Sequence, residues 1–151
     1  MALGIEKSGC EIMAKWLFKS EPDVFSFPQL VAKGPVGEAW TGIRNYQARN
    51  NMRKMQLGEQ GFFYYSNIGK AVVGIVEVCN LVHPDPTADV PAWECVDLRA
   101  VAELPRPVTL DEIKLEAKLK EMVLVINSRL SVQPVTDAEW RHICKMAGYL
   151  P

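Results

Sequence analysis

With 151 residues, the chain is long enough to bury one proper core and short for two domains. Its formal net charge of −1 excludes a protein that coats nucleic acid through bulk charge; any such contact has to be a local patch. Cys10, Cys79, Cys95 and Cys144 include no Cys-x-x-Cys pair, the two histidines complete no zinc pattern, and no apolar run approaches membrane-spanning length. These features point to a soluble protein of a reduced compartment, cytoplasmic or associated with a nucleoid or nucleus, with no cofactor, metal or membrane partner.

Residues 1–13 lack the apolar stretch of a signal peptide and are expected to form a loosely ordered leader, with Met13 as an alternative start and residues 14–151 as a single domain. Lys15-Trp-Leu-Phe-Lys19 predicts a short aromatic strand, stopped by Ser20-Glu21-Pro22. Ser26-Phe-Pro-Gln29 has the form of a capping box, and Gly34 can close the short helix it opens. Asn45 to Met55 predicts a helix whose Ala48, Met52 and Met55 form a buried stripe, with Arg49 and Arg53 on another face. Strands 61–66 and 71–79, joined through Asn67-Ile68-Gly69, make the best hairpin in the chain. Phe62, Tyr64 and Ser66 face one way, Phe63 and Tyr65 the other.

His83-Pro84-Asp85-Pro86-Thr87 predicts a proline-stiffened loop. Residues 95–102 alternate as a half-exposed strand, with Val96, Leu98 and Ala100 opposite Asp97 and Arg99. Thr109-x-x-Glu112 opens a helix running to about Lys120, and Met122–Ile126 is a candidate strand. Thr136-x-x-Glu139 opens a last helix with Trp140, Ile143 and Ala147 inward and Gly148 as its stop. Five or six short strands with interspersed helices predict a compact α+β domain, its sheet closed or nearly closed into a small barrel.

The most distinctive segment is Trp40-Thr-Gly-Ile-Arg-Asn-Tyr-Gln-Ala-Arg-Asn50, continuing through Arg53 and Lys54 before Glu59 supplies an acid. Flat π-faces, fixed cations and amide groups are what a protein needs to hold a nucleobase on a phosphate chain. A solvated helix face with one core Trp is the competing reading. Trp40 and Trp93 lie outside any apolar periodicity, which makes them better stacking candidates than Trp16 and Trp140. In Ser128-Arg129-Leu130-Ser131, Arg129 can grip phosphate or stack on a base, or else make a structural salt bridge. Lys19-Ser20-Glu21 gathers a base, a hydroxyl and an acid at one strand end. His142 and Cys144, two apart on a helix, diverge and cannot pair. His83 with Asp85 offers two metal ligands and no third.

Trp16-Leu-Phe-Lys-Ser-Glu-Pro22, the Trp40–Asn50 segment, Phe62-Phe-Tyr-Tyr-Ser-Asn67, the His83–Thr87 turn and Ser128-Arg-Leu-Ser-Val-Gln-Pro134 together resemble the EVE domain, over nearly the whole chain from about Ala14 to Gly148. The resemblance implies a PUA-like small mixed β-barrel with flanking helices, akin to YTH and ASCH domains. It also implies a non-catalytic module that flips a modified base, notably a modified cytosine, of DNA or RNA into an aromatic pocket with a basic rim. On that resemblance Trp40 is a pocket wall and Trp93 a second one. Lys19 and Ser20 sit at the edge, Arg44, Asn45, Tyr46 and Gln47 at the mouth, and Ser66 and Asn67 at the hairpin end. Arg129 and Ser131 close another side, and Arg49, Arg53 and Lys54 meet phosphate. Thr41 departs from the family's usual Asp, Tyr65 from a common His, and the segment between Thr87 and Trp93 is short. The alternative is an ASCH-like hydrolase of a modified nucleoside using Lys19 and Glu21.

Overall fold

The computed structural model describes residues 13–150; the expected leader, apart from Met13, lies outside the described residues. Six strands form one mixed sheet: β1 (Lys15–Ser20), β2 (Glu38–Ala39), β3 (Gln60–Tyr65), β4 (Ala71–Pro84), β5 (Glu94–Thr109) and β6 (Val132–Val135), in the order β2-β5-β4-β3-β1-β6. The helices are α1 (Phe27–Ala32), α2 (Tyr46–Arg53), α3 (Leu110–Leu115), α4 (Val123–Ile126) and α5 (Asp137–Ala147). None is long and apolar enough to cross a membrane.

The sheet buries both faces. Trp16, Phe18, Phe63, Val76 and Leu98 pack beneath α1 and α2 with Trp40, Leu30 and Met52. Leu17, Phe62, Tyr64 and Ile75 point the other way, onto Ile113, Met122 and Trp140 beneath α3, α4 and α5. Strand alternation explains the split: neighbouring residues of β1 and β3 feed opposite cores. That is also why Trp16, Leu17 and Phe18 of β1 read as an unbroken apolar run, since a stretch covered on both faces has no polar side to show. Trp16 Nε1 donates to Glu59 Oε1 at 2.8 Å, and Glu59 is buried. The first acid after the basic segment therefore turns inward and does not itself offset the surface charge there.

Local signals set most of the element boundaries. Ser26, Thr109 and Thr136 each form a complete capping box, and Asn45 caps α2 by accepting from Ala48 N–H. Gly148, at φ 73°, ends α5 in the left-handed conformation. Several elements differ from the sequence expectation. Strand β6 contains Pro134, yet it is the outermost strand and Pro134 is exposed, so the missing N–H costs little. Its edge is covered by α2, where Asn51 Nδ2 donates to the Val132 carbonyl at 2.8 Å. Met122–Ile126 is expected as a strand but holds the single helical turn α4; a short apolar run lacks the periodicity to distinguish the two. The helix expected to reach Lys120 stops at Leu115 and resumes as a 3-10 turn, Ala117–Leu119. His83 and Pro84 belong to the end of β4 rather than to a loop.

The fold is mixed α+β, and the sheet ladder is open because β2 and β6 do not pair. Register shifts along β4–β5 mark bulges that bend this long pair. Glu38 and Ala39 of β2 line the same cavity as Ser128, Arg129 and Ser131, which lead into β6. The edge strand β2 and the segment that leads into β6 therefore border one cavity.

Gly74 sits at one of these irregularities, where a Cβ would stand 2.4 Å from the Phe27 ring. Gly74→Ala should lower stability by about 1–3 kcal/mol through overpacking. A fall in the urea midpoint with an unchanged slope is the expected result.

Candidate functional site

The cavity, about 650 Å³, opens at the carboxyl ends of β1 and β3, the only parallel pair in the described sheet. Four stretches of chain build it. Lys19 and Ser20 end β1 and lead to Glu21, Val24 and Phe25; Glu38 to Ile43 cross from β2; Ser66 follows β3; Ser128, Arg129 and Ser131 precede β6. Backbone bonds tie three of them together, Ser66 N–H to Ser20 O and Lys19 N–H to Ser131 O, both 3.0 Å.

Trp40 forms the floor. It is 7% exposed and meets Phe18, Phe25 and Phe63 edge-on at centroid distances of 5.9, 6.0 and 5.8 Å. Such T-shaped contacts hold an indole in one orientation. Trp40 is thus a rigid, core-anchored surface of the cavity. The second aromatic of the cavity is Phe25, not Trp93. Phe25 precedes the Ser26 N-cap, where an apolar residue reads as a hydrophobic staple, so its sequence context concealed it.

Two polar groups of the rim are already engaged. Ser20 Oγ donates to the Phe25 carbonyl at 2.6 Å, and Lys19 Nζ to the Ser128 carbonyl at 2.6 Å. Burial lowers the Lys19 pKa. Glu38 pairs with Lys33 at 3.2 Å, while Arg129 is exposed and makes no ion pair among the described residues. Glu21 and Glu38 bring carboxylates to the cavity although Thr41 has no acid.

Asp85 holds the loop after Trp40. Its carboxylate accepts from Gly42 N–H at 2.8 Å, Arg44 Nη1 at 3.0 Å, and Thr87 N–H and Oγ1, both at 2.7 Å. Burial alone would raise the carboxyl; the bonds from Thr87, Gly42 and Arg44 more than offset that and hold its pKa at about 2. Asp85 therefore does not share a ligand position with His83.

Several expected site residues stand outside the cavity. The Arg44 guanidinium lies 5.9 Å from the Trp93 ring centre, Trp93 pairs with Tyr46 at 4.7 Å, and Arg49 lies 4.8 Å from the Tyr46 ring. This alternating stack forms a neighbouring surface. Asn45 is spent as the α2 cap, Gln47 is exposed on the first turn of α2, and Asn67, at φ 73°, serves the hairpin turn. Arg53 pairs with Glu94 at 2.5 Å, Arg49 donates to the Ala92 carbonyl at 2.9 Å, and Lys54 is exposed. The Tyr65 hydroxyl accepts from Phe27 N–H at 2.9 Å, so it anchors α1.

Among the described residues, no nucleophile–base pair forms at the cavity. Ser20 is turned to a carbonyl, and His142 bonds Glu116 at 2.6 Å on the far side of the sheet. Burial raises the thiol of Cys144 to about 11, and burial with the Asp85 and Asp97 charges does the same for Cys95. Both thiols are poor nucleophiles. What the arrangement can do is hold a planar heterocycle on an apolar aromatic floor between donors and acceptors.

Comparison with known proteins identifies the family and the fold. The EVE domain model matches residues 14–146. The chain belongs to the EVE domain family. Human thymocyte nuclear protein 1 is 33% identical over 167 residues, covering 89% of this chain and 74% of that protein. A crystal structure from Agrobacterium tumefaciens superposes with a TM-score of 0.87 at 56% identity, covering 90% of this chain and 94% of that one. The human thymocyte protein, solved in complex with DNA containing 5-methylcytosine, gives 0.82 at 34% identity, with 91% and 99% covered. A yeast YTH domain from Zygosaccharomyces rouxii, at 0.55 and 18% identity over 93% and 88% of the two chains, shares the fold, which is PUA-like.

Asp85→Ala strands the Gly42 N–H and frees Arg44. It should cost about 1–3 kcal/mol and loosen residues 40–44. Faster amide exchange confined to that loop, with the β3–β4 amides unchanged, is the pattern that checks it.

Proposed function

We propose that this EVE domain is a non-catalytic reader that takes one modified base, a cytosine derivative, out of a DNA or RNA strand into the cavity floored by Trp40. The observation that carries this is the Trp40–Phe25 aromatic floor ringed by Lys19, Ser66, Arg129 and Ser131 as donors and Glu21 and Glu38 as acceptors. The human relative's complex with 5-methylcytosine DNA supports the same ligand class. A cytosine edge offers an amino donor beside two acceptors; carboxylates suit the first, and ammonium, guanidinium and hydroxyl groups the others.

Magnitudes favour a strand over a free nucleoside. An aromatic contact with one base is worth about 1–3 kcal/mol, and extruding that base from a duplex costs a few kcal/mol, less when it is already unpaired. The cationic rim has to supply the remainder. Arg129, Arg49 and Lys54 are the cations for phosphate, whereas Arg53 has first to leave Glu94. A buried methyl adds about 0.8 kcal/mol, so discrimination over unmodified cytosine rests on shape around the ring carbon together with polar contacts.

A salt titration tests the reading. Arg129→Ala should weaken binding to a single-stranded oligonucleotide carrying 5-methylcytosine and reduce the slope of log K against log salt by roughly 1. Arg53→Ala should change that slope less. Equal affinity of the wild-type chain for modified and unmodified oligonucleotides would refute the reader. Trp40→Ala is a poor probe, because removing a core indole costs about 3–5 kcal/mol of stability.

Lys19 and Glu21 share the cavity, which keeps a hydrolase of modified nucleosides as the second reading. Burial lowers the Lys19 pKa, as a proton-transferring lysine requires, but Ser20 is committed to a carbonyl. Turnover of acylated or alkylated nucleosides, lost in Lys19→Ala, would replace the reader with the enzyme.

A further inference from the structure

The arginines sort the surface charge. Arg44, Arg49, Arg53, Arg99 and Arg106 each donate side-chain hydrogen bonds within the domain. Among the described residues two arginines make none: Arg129, which lines the cavity, and Arg141 on α5. Asp137 stands four residues before Arg141, at ion-pair spacing on one helix face, yet no pair forms between them. The guanidinium instead borders a hollow of about 280 Å³, together with Lys118, Ala138, His142 and Lys145.

Two elements supply the cations. Arg141 and Lys145 are one turn apart on α5, and Lys118 comes from the 3-10 turn Ala117–Leu119 packed beside it. Attraction to the helix dipole accounts for Lys145 in the last turn of α5, but not for Arg141 in the middle or for Lys118 on another element. All three are exposed, and none makes an ion pair among the described residues. Glu116, two residues before Lys118, is held by His142 Nε2 at 2.6 Å. Like charges one helical turn apart repel, and an anion seated among them removes that cost.

We propose that Lys118, Arg141 and Lys145 bind a backbone phosphate of nucleic acid, as a second anchoring point of the domain. The nucleic-acid class rests on the reader function; the hollow itself specifies an anion with several oxygens. A guanidinium engages two phosphate oxygens at once, and the two ammonium groups add point charges. No residue of the hollow lines the cavity, and α5 covers the sheet face opposite that of Trp40. The seated base and the anchored phosphate therefore belong to separate stretches of strand, and the anchor adds affinity without reading the modification.

Oligonucleotide binding at several salt concentrations tests the anchor. The probes are single strands of one sequence, with and without 5-methylcytosine. In the whole chain, Arg141→Gln combined with Lys145→Gln should weaken binding to both strands by about tenfold at low salt. It should also lower the slope of log K against log salt by roughly 1.4, about 0.7 for each lost contact. The ratio of the two affinities, which the cavity sets, should stay unchanged. Lys114→Gln combined with Lys120→Gln removes two exposed lysines outside the hollow and should lower the slope by less than half as much. Far-ultraviolet circular dichroism should match the wild type for both variants. A wild-type slope in the Arg141/Lys145 variant, or a fall no larger than the lysine control gives, overturns the anchor. Equal wild-type affinity for the two strands refutes the reader alone, because the slope comparison still decides the hollow. Loss of binding to phosphatidylserine vesicles in the Arg141/Lys145 variant, with its oligonucleotide binding intact, would put a membrane surface in place of nucleic acid.

Discussion

The buried carboxylate of Asp85 is the contact on which the cavity depends. It lies just past the end of β4, and its acceptors serve a backbone N–H and a guanidinium from the Trp40–Arg44 loop together with both donors of Thr87. Without it, the segment between β2 and α2 has few fixed points: the Trp40 N–H bond to the Val96 carbonyl and the indole itself. A buried anion with four donors favours one arrangement strongly, because each donor left unpaired carries a desolvation cost. The cavity floor inherits its rigidity from that arrangement and from the three phenyl rings around Trp40.

The basic character of residues 40–54 is smaller in the fold than in the sequence. Arg44 is neutralised by Asp85 and Arg53 by Glu94, and the guanidinium groups of Arg44 and Arg49 lie against aromatic rings. What remains to meet an anion is a narrow set of groups near the cavity mouth and along α2. Such a patch suits a protein whose selectivity comes from one seated heterocycle rather than from charge spread over a strand.

Structure encoded within a few residues was legible in the sequence. The three capping boxes, the Asn67–Gly69 turn and the inward stripe of α5 are read from neighbours in the chain, and each is present. Strand β6 was hidden because Pro134 argues against a strand until its place at the sheet edge is known. The resemblance brought Lys19, Ser20, Trp40, Ser66, Arg129 and Ser131 into one expected site, and these six do line one cavity. Phe25 stands in the cavity where Trp93 was expected, since which aromatic reaches it depends on the docking of α1 and of the loop between β4 and β5. Asp85 read as a turn residue because its partners lie about forty positions earlier in the chain.

The cavity walls come from four stretches separated by long intervals of chain, around residues 19–25, 38–43, 66 and 128–131. The amino-terminal half supplies three of the stretches, and the carboxyl-terminal half supplies the fourth. Occupancy is therefore linked to the global unfolding equilibrium rather than to local fraying, and a bound molecule acts as a cross-brace between both ends of the polypeptide. During synthesis the recognition surface stays incomplete until the last fifth of the chain has joined the sheet.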